Sequence, residues 1–354
     1  MADKVLMKGN EAIAEAAIQA GCRHYFGYPI TPQTEIAAYM AKRMPKIGGI
    51  FLQAESEIAA INMVYGTAST GHRVMTSSSS PGISLKAEGL SYMAGSDLPA
   101  LVVNVQRGGP GLGGIQPSQS DYYQATRAAG HGDFHMIVLA PASVQEMADM
   151  TGKGFDLADK YRVPCMLLAD GTLGQMMEPV EIKAAEAKEF DKSWATTGTG
   201  MKREHNVVNS LSLDPRELEK LNFERFDRYA QIEENEVMYE EYMMDDAEIC
   251  VVSFGITARV AKNAVNEARK QGVKVGLIRP ITLWPFPKKV LKAAAEKCSK
   301  FISVEMNMGQ MIEDVRAAIE YKRPVTLCNR AGGMIPSAEQ VYNQIMEAAK
   351  GGAQ

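Results

Sequence analysis

Five short stretches hold side chains suited to chemistry. In FLQAESEIAAINMVYGTASTGHR (51–73) an extended apolar start meets two acids, Glu55 and Glu57. A helix of small and apolar residues follows at once and stops near Gly66 or Gly71. Acids in a first helical turn are favoured by the helix dipole, so either one can serve as a cap. Ile58, Ala59, Ala60, Ile61, Met63 and Val64 leave that helix little polar surface. A carboxylate opening it therefore sits at the edge of a core, where an acid is costly unless it has a task. NVQRGGPGLGGIQPSQSDYYQ (104–124) sets Arg107 just past an apolar run. A guanidinium there needs an anion, and Arg suits bidentate recognition of a carboxylate. An ion pair with Glu55, Glu57 or Asp97 is the structural alternative.

GYPITPQTE (27–35) places Tyr28, Pro29, Ile30 and the Thr31 hydroxyl in a loop stiffened by two prolines. The alternative is a rigid turn with a cap at Gln33 or Thr34. TSSSSPGISL (76–85) offers Ser79 and Ser80 among four serines before Pro81-Gly82, either a ligand loop or a generous N-cap. GHGDF holds His131, an acid–base candidate, although a lone histidine in a loop is more often structural.

These stretches need a scaffold that presents loops together. Helical patterns cover 9–21, 33–44, 57–70, 83–95 and 142–159. Strand patterns cover 24–28, 49–53, 72–76, 99–105, 135–140 and 164–169. Such alternation predicts an α/β fold with a parallel sheet covered by helices on both faces. PALVVNVQ and VPCMLLAD are continuous apolar runs, as expected for doubly buried strands. Four of the five stretches, all but that of His131, follow a strand, and open α/β sheets bind ligands at the carboxyl ends of their strands. Residues 171–245 turn charged and lose strand signal; the pattern predicts one or two helices, the last at about 225–245. Alternation resumes at 248 and predicts a second, smaller α/β domain.

Bulk properties narrow the function. The 354 residues suffice for two or three domains, and 46% hydrophobic content supplies a core. A net charge of −4 without a Lys/Arg cluster argues against nucleic acid. No apolar run reaches the roughly 18 residues of a membrane span, and the first residues lack a signal-peptide core. A cytoplasmic protein is expected. None of the five cysteines lies within four residues of another, so no metal or iron–sulfur site is expected in the chain. The 22 methionines read as core filler. GGPGLGG misses the dinucleotide-binding context, since no helix opens on it and no acidic strand end follows.

Taken together, MKGNEAIAEAAIQAGCRHYFGYPITPQTE, QAESEIAAINMVYGTA, SSSSPGISL, RGGPGLGGIQPSQSDYYQA and GHGD resemble the α subunit of the 2-oxoacid:ferredoxin oxidoreductases. LIRPITLWPFP and VEMNMGQM extend the resemblance into the second domain. Around 108–124 the wording is most similar to the branched-chain type, acting on 3-methyl-2-oxobutanoate, with the 2-oxoglutarate type next. The resemblance implies thiamine diphosphate chemistry. It assigns 1–190 to a pyrimidine-binding domain, 191–245 to a connector with helices, and 246–354 to a transketolase C-terminal-like domain.

It further implies that a Glu nine residues before a Gly hydrogen-bonds the aminopyrimidine ring and promotes its imino tautomer. Glu57 and Gly66 meet that spacing; Glu55 and Val64 do not. An acid beside Ile58 and Ile61 would retain its proton and donate it, in keeping with that role. By the same resemblance Thr31 and Arg107 contact the substrate, while Tyr28, Pro29, Ile30, Ser79 and Ser80 border the cofactor. Gly108, Gly109, Gln116 and His131 shape the acyl or coenzyme A side.

In the related enzymes a G-D-G motif, followed by Asn, holds diphosphate and Mg²⁺. Here ADGTLGQ (169–175) has Ala in first place. The expectation is that a β subunit carries the diphosphate and Mg²⁺ site. A γ subunit and a ferredoxin-like subunit with [4Fe–4S] clusters would complete the enzyme, with coenzyme A as co-substrate and ferredoxin as acceptor. An NAD(P)-dependent dehydrogenase using GGPGLGG and a non-catalytic scaffold are the rival readings.

Overall fold

The computed structural model describes residues 4–127, 129–183 and 188–351. In chain order the first part contains β1 (Val5–Lys8), α1 (Gly9–Gln19), β2 (His24–Gly27), α2 (Thr34–Arg43), β3 (Ile50–Gln53), α3 (Glu57–Ser69), β4 (Val74–Ser78) and α4 (Ser80–Gly95). It continues with β5 (Ala100–Gln106), α5 (Tyr122–Thr126), β6 (Ile137–Leu139), α6 (Val144–Tyr161), β7 (Pro164–Asp170), α7 (Gly171–Gln175) and β8 (Met177–Val180). After a long excursion come α8 (Pro215–Asn235), β9 (Tyr239–Tyr242), β10 (Ile249–Ser253), α9 (Gly255–Lys270), β11 (Val275–Pro280) and β12 (Thr282–Trp284). The chain closes with α10 (Lys288–Lys297), β13 (Lys300–Glu305), α11 (Met311–Ala318), β14 (Val325–Asn329) and α12 (Ala338–Ala349).

The main sheet runs β12-β6-β7-β5-β4-β2-β3, with β12 antiparallel and the others parallel. Every residue of β4, β5 and β7 is buried, which their unbroken apolar sequences demanded. The second sheet, β14-β13-β10-β11-β9, is parallel except for β9. A short antiparallel ribbon pairs β1 with β8. Helices α3 and α4 pack tightly through small residues: a Cβ on Gly89 would lie 2.5 Å from Ile61 Cγ2. Buried methionines fill this interior, among them Met75, Met93, Met147 and Met166. All five cysteines are free and buried.

The helix expected at about 225–245 is displaced. It spans Pro215–Asn235, opened by Asp214, whose carboxylate accepts from Arg216 N at 2.9 Å, and by proline at the first turn. Tyr239–Tyr242 is a strand instead, antiparallel to β11. Glu240 there meets Arg279 Nε at 2.8 Å and Lys262, so the acids serve ion pairs rather than a helix.

The two sheets are fastened together. Strand β12, after the start of the second unit, joins the main sheet through β6. Arg279 on β11 forks onto Glu146 at 2.9 and 2.7 Å. Gln119 is the hub of a third contact. Its Nε2 donates to Phe254 O at 2.8 Å, and its Oε1 accepts from Met306 N and Thr257 Oγ1, both at 3.1 Å.

Candidate active site

Strands β5, β4, β2 and β3 lie side by side and parallel, so their carboxyl ends form one edge. Onto that edge open the loop with Thr31, the turn into Glu57, the serine run and the loop beginning at Arg107. Strand adjacency thus gathers four candidate stretches that lie up to 80 residues apart in sequence.

Glu57 is the first residue of α3 and is buried. The helix is capped by its neighbour Ser56, whose Oγ accepts from Ala59 N at 3.2 Å. Glu57 is therefore released from capping, and Glu55 lies exposed outside the helix. A Cβ on Gly82 would sit 2.0 Å from Ser78 Oγ and 2.6 Å from Glu57 Oε1. Both oxygens pack so closely on Gly82 that a side chain at that position would have to displace them. Ser78 Oγ is buried and has no hydrogen-bond partner. Of the apolar neighbours expected for Glu57, Ile61 is buried but Ile58 points outward, 51% exposed.

The surprise beside Glu57 is Lys86, fully buried on α4, with Nζ 3.4 Å from the Glu57 carbonyl oxygen. Burial pulls its ammonium down to about 8, partly offset by the Glu57 charge. Lys86 was not among the residues singled out from the sequence. A signal was present: Ile83, Lys86, Leu90 and Met93 form one stripe at helical spacing, and the other three are apolar core.

Arg107 is buried. Its Nη1 donates to Thr31 O at 3.0 Å and its Nη2 to Leu112 O at 3.2 Å, while Nε is buried without a partner. The expected rivals for it are engaged elsewhere or exposed: Asp97 takes Arg228 and Arg225. Among the described residues no carboxylate lies within 4.0 Å of the guanidinium. A buried cation with only two of its five N–H donors engaged, both on carbonyls, is poised for an anion.

The serines divide their work. The Ser80 hydroxyl donates to Asp121 Oδ2 at 2.6 Å and receives Arg107 N at 3.0 Å, tying α4 to the Arg107 loop. Burial raises the Asp121 carboxyl. Ser79 Oγ bonds Val105 O, so it braces the sheet. Tyr25 donates to Ser77 Oγ at 2.7 Å, and the Ser77 hydroxyl in turn donates to Gln33 Oε1 at 2.5 Å. Gln33 Nε2 then reaches Tyr28 O at 3.3 Å and fixes the 28–31 loop. Tyr28, Pro29 and Thr31 are exposed on that loop, with Ile30 half-buried.

Gly108 and Gly109 line a cleft of about 610 Å³ together with Ser84, Ser120, Asn307 and Gly332. Gln116 is not among the residues lining that cleft; it packs against Gly333, where a Cβ would lie 2.4 Å from the Gln116 Cβ. His131 is not brought to this group. It is exposed at the far half of α4, where its carbonyl accepts from Ser91 Oγ at 2.6 Å. Asp170, in the imperfect G-D-G string, caps α7 through Thr172 N at 2.8 Å and Leu173 N at 3.1 Å. Among the described residues no group of three or more His, Cys, Asp or Glu is arranged to hold a metal. No helix among them is long and apolar enough to cross a membrane.

The fold and this edge define a thiamine-diphosphate-binding α/β domain joined to a second α/β unit. Residues 15–243 match the family described as pyruvate flavodoxin/ferredoxin oxidoreductase, thiamine diphosphate-binding, and residues 247–341 match pyruvate:ferredoxin oxidoreductase core domain II. The chain belongs to the 2-oxoacid:ferredoxin oxidoreductase family. It is 53% identical to the ketoisovalerate oxidoreductase subunit VorB of Methanothermobacter marburgensis, covering 97% of both chains. With the 2-oxoglutarate synthase subunit KorA of Methanothermobacter thermautotrophicus it shares 37% identity, over 98% of this chain and 99% of that one. A solved 2-oxoglutarate:ferredoxin oxidoreductase from Magnetococcus marinus, with 2-oxoglutarate, coenzyme A and succinyl-CoA bound, superposes with a TM-score of 0.86 at 30% identity. This chain is covered to 98% in that comparison and spans 65% of the other.

Proposed function

We propose that this chain is the α subunit of a thiamine-diphosphate-dependent 2-oxoacid:ferredoxin oxidoreductase, and that its substrate is 3-methyl-2-oxobutanoate. The complex would convert 2-oxoacid, coenzyme A and oxidised ferredoxin to acyl-CoA, CO₂ and reduced ferredoxin. The observation that carries this reading is the placement on one sheet edge of a buried acid, Glu57, and a buried cation, Arg107, that has no counter-ion among the described residues. Buried Glu57 and the unpartnered Ser78 Oγ beside it offer the polar contacts an aminopyrimidine ring would need. Bound there, the cofactor supplies the carbanion-stabilising chemistry that no side chain provides.

Glu57 holds a proton on the ring nitrogen that its carboxyl faces. Arg107 offers its guanidinium to the substrate carboxylate, and its two carbonyl bonds keep that group from swinging away. Thr31, anchored through its carbonyl to that guanidinium, borders the 2-oxo group. The cleft beside Gly108 and Gly109 admits coenzyme A. Two features favour a branched alkyl group over a second carboxylate. Leu112 and Ile115 project from the Arg107 loop, and none of the residues lining the adjoining cleft is cationic. The 53% identity to a ketoisovalerate oxidoreductase subunit supports the same choice.

Diphosphate, Mg²⁺ and the [4Fe–4S] clusters fall to partner subunits in this reading: a β subunit for the first two, with γ and ferredoxin-like subunits completing a cytoplasmic complex. The test is dye reduction by the chain co-purified with its partners. Activity dependent on coenzyme A and greatest with 3-methyl-2-oxobutanoate is expected. Greater activity with 2-oxoglutarate or pyruvate would refute the substrate, and a complex devoid of thiamine would refute the whole reading.

A further inference from the structure

Arg107 stands at the base of a loop that closes on itself. It bridges Pro117 in antiparallel fashion, and Gly108 N donates to Gln116 O at 2.9 Å. Both ends of the loop are then held from outside. The Arg107 end is held by α4, since its amide donates to Ser80 Oγ at 3.0 Å. The Ser80 hydroxyl donates in turn to Asp121 Oδ2 at 2.6 Å, and the same carboxylate oxygen accepts from Asn104 Nδ2 at 2.9 Å. Asp121 N donates to Gln106 Oε1 at 3.0 Å. Ser80, Asn104, Gln106, Arg107 and Asp121 are all buried. Hydrogen bonds away from water are strong and directional, so this network fixes the geometry of what it holds.

The other end is held by the second unit. Ser118 Oγ donates to Met306 O at 3.3 Å, and Gln119 N to the same oxygen at 3.1 Å. Gln310 grips the chain on either side of Asp121. Its Nε2 donates to Ser120 O at 2.8 Å, and its Oε1 accepts from Tyr123 N at 2.9 Å. Gln310 is itself set by Glu305 and Asn307, whose side-chain oxygens accept from its backbone N–H at 3.0 and 3.1 Å. Asn307 Nδ2 also donates to Gln119 O at 2.9 Å. These three residues belong to VEMNMGQM, the stretch of the second domain whose task was open. Gly332 of the same unit backs the loop: a Cβ on Gly108 would lie 3.6 Å from its carbonyl carbon.

Building on the reading of Arg107 as the anchor of the substrate carboxylate, we propose that Asp121 and Gln310 are positioning residues that aim it. Gln310 of the second unit sets the turn at 120–123, and that turn presents Asp121. Asp121 holds the Ser80 hydroxyl, and Ser80 holds the Arg107 main chain. The guanidinium is aimed only as well as the backbone behind it is fixed. Its own two bonds go to carbonyls of loops, Thr31 O and Leu112 O, and neither loop is a rigid element. Recognition of a planar anion requires placement within about 0.5 Å. The second unit thus serves substrate binding from a distance, through four residues joined by hydrogen bonds.

The test is a double-mutant cycle on the assembled complex. It reads KM and kcat for the best 2-oxoacid substrate at saturating coenzyme A. Asp121→Ala and Gln310→Ala should each raise KM at least about fivefold, with kcat held within about threefold. In an Arg107→Met background the same two substitutions should change KM by less than about twofold, because no guanidinium is left to misplace. Asp121→Asn, whose amide oxygen still accepts from Ser80 and Asn104, should recover most of the loss. Should Asp121→Ala fail to fold, Gln310→Ala carries the cycle alone, since Gln310 is only half-buried. A KM unmoved by Gln310→Ala would overturn the proposal even if Tm falls, for the network would then only weld the units. An equal rise in KM with and without Arg107 would also overturn it, since the effect would bypass the guanidinium. Arg107→Met with a wild-type KM would refute the underlying reading of Arg107, a failure the cycle shows separately.

Discussion

Arg107 Nη1 donates to the carbonyl oxygen of Thr31 at 3.0 Å, although 76 residues separate them. That bond links the ends of β5 and β2 across β4 and aligns a cation with the loop beside it. The guanidinium is oriented by carbonyls, which are dipoles, so its charge remains available to a substrate anion.

Arg107→Met should therefore weaken substrate binding selectively. A charge-assisted pair is worth about 1.5–3 kcal/mol, which corresponds to a roughly 10- to 100-fold rise in KM for the 2-oxoacid. If the contact is equal in ground and transition states, kcat should hold within about threefold. Steady-state kinetics of the complex decides it, and an unchanged KM would remove Arg107 from the site.

Glu57→Gln keeps the shape and loses the exchangeable proton. Turnover should fall by about 10²–10⁴, the usual range for a positioned acid or base. Gel filtration should show the complex intact, because Ser56 rather than Glu57 caps α3.

Two glycines give a paired test. Gly82→Ala would push its methyl against Ser78 Oγ and Glu57 Oε1, both movable side-chain atoms. The fold should survive and the carboxyl should be displaced, so kcat/KM should drop at least about tenfold with a stability loss near 1 kcal/mol. Gly66→Ala meets nothing within 4 Å and should stabilise the isolated chain by about 0.5–1 kcal/mol through helix propensity.

The buried lysine makes a separate stability prediction. Its ammonium is lowered from 10.5 to about 8 by burial, so the folded chain resists a proton the unfolded chain accepts. That cost is fully present below about pH 8 and vanishes as pH rises through 10.5. Lys86→Met should therefore be more stable than wild type at pH 7, by up to ~3 kcal/mol, with the gain shrinking toward pH 10.5. Urea unfolding at both pH values measures the difference.

Gln119→Ala removes three buried bonds between the units and orphans Met306 N. About 2–4 kcal/mol of stability should be lost. Because residues 118–121 border the cleft, KM for coenzyme A should rise as well. Denaturation and kinetics on one preparation test both.

The long, strongly patterned elements were legible from sequence. Strands β5 and β7 declare themselves by apolar continuity, and α3 and α4 by helical spacing. Short pieces without periodicity were not: β1, β8, α5, α7 and β12 have three to five residues each. For β9, pairing with β11 overrode the helix preference of Glu240 and Glu241. The Asp214–Pro215 start of α8 was readable and was missed. At the site, Glu57, Thr31, Arg107 and the serines could be singled out because each follows a strand. What a single chain could not reveal was who faces whom: that Ile58 turns outward, that Lys86 turns in, and that the His131 loop meets α4 at Ser91, away from the other candidates.

Strand β12 is three residues long, yet it covers the outer side of β6. A chain cut after residue 245 would keep every residue proposed for catalysis and still lose this cover. The row of amides and carbonyls on β6 would then be free to recruit another copy, the usual start of edge-to-edge aggregation. The second unit thus acts as a selvedge that keeps the sheet from unravelling into its neighbours. A truncated form should fail by precipitation before it fails in chemistry.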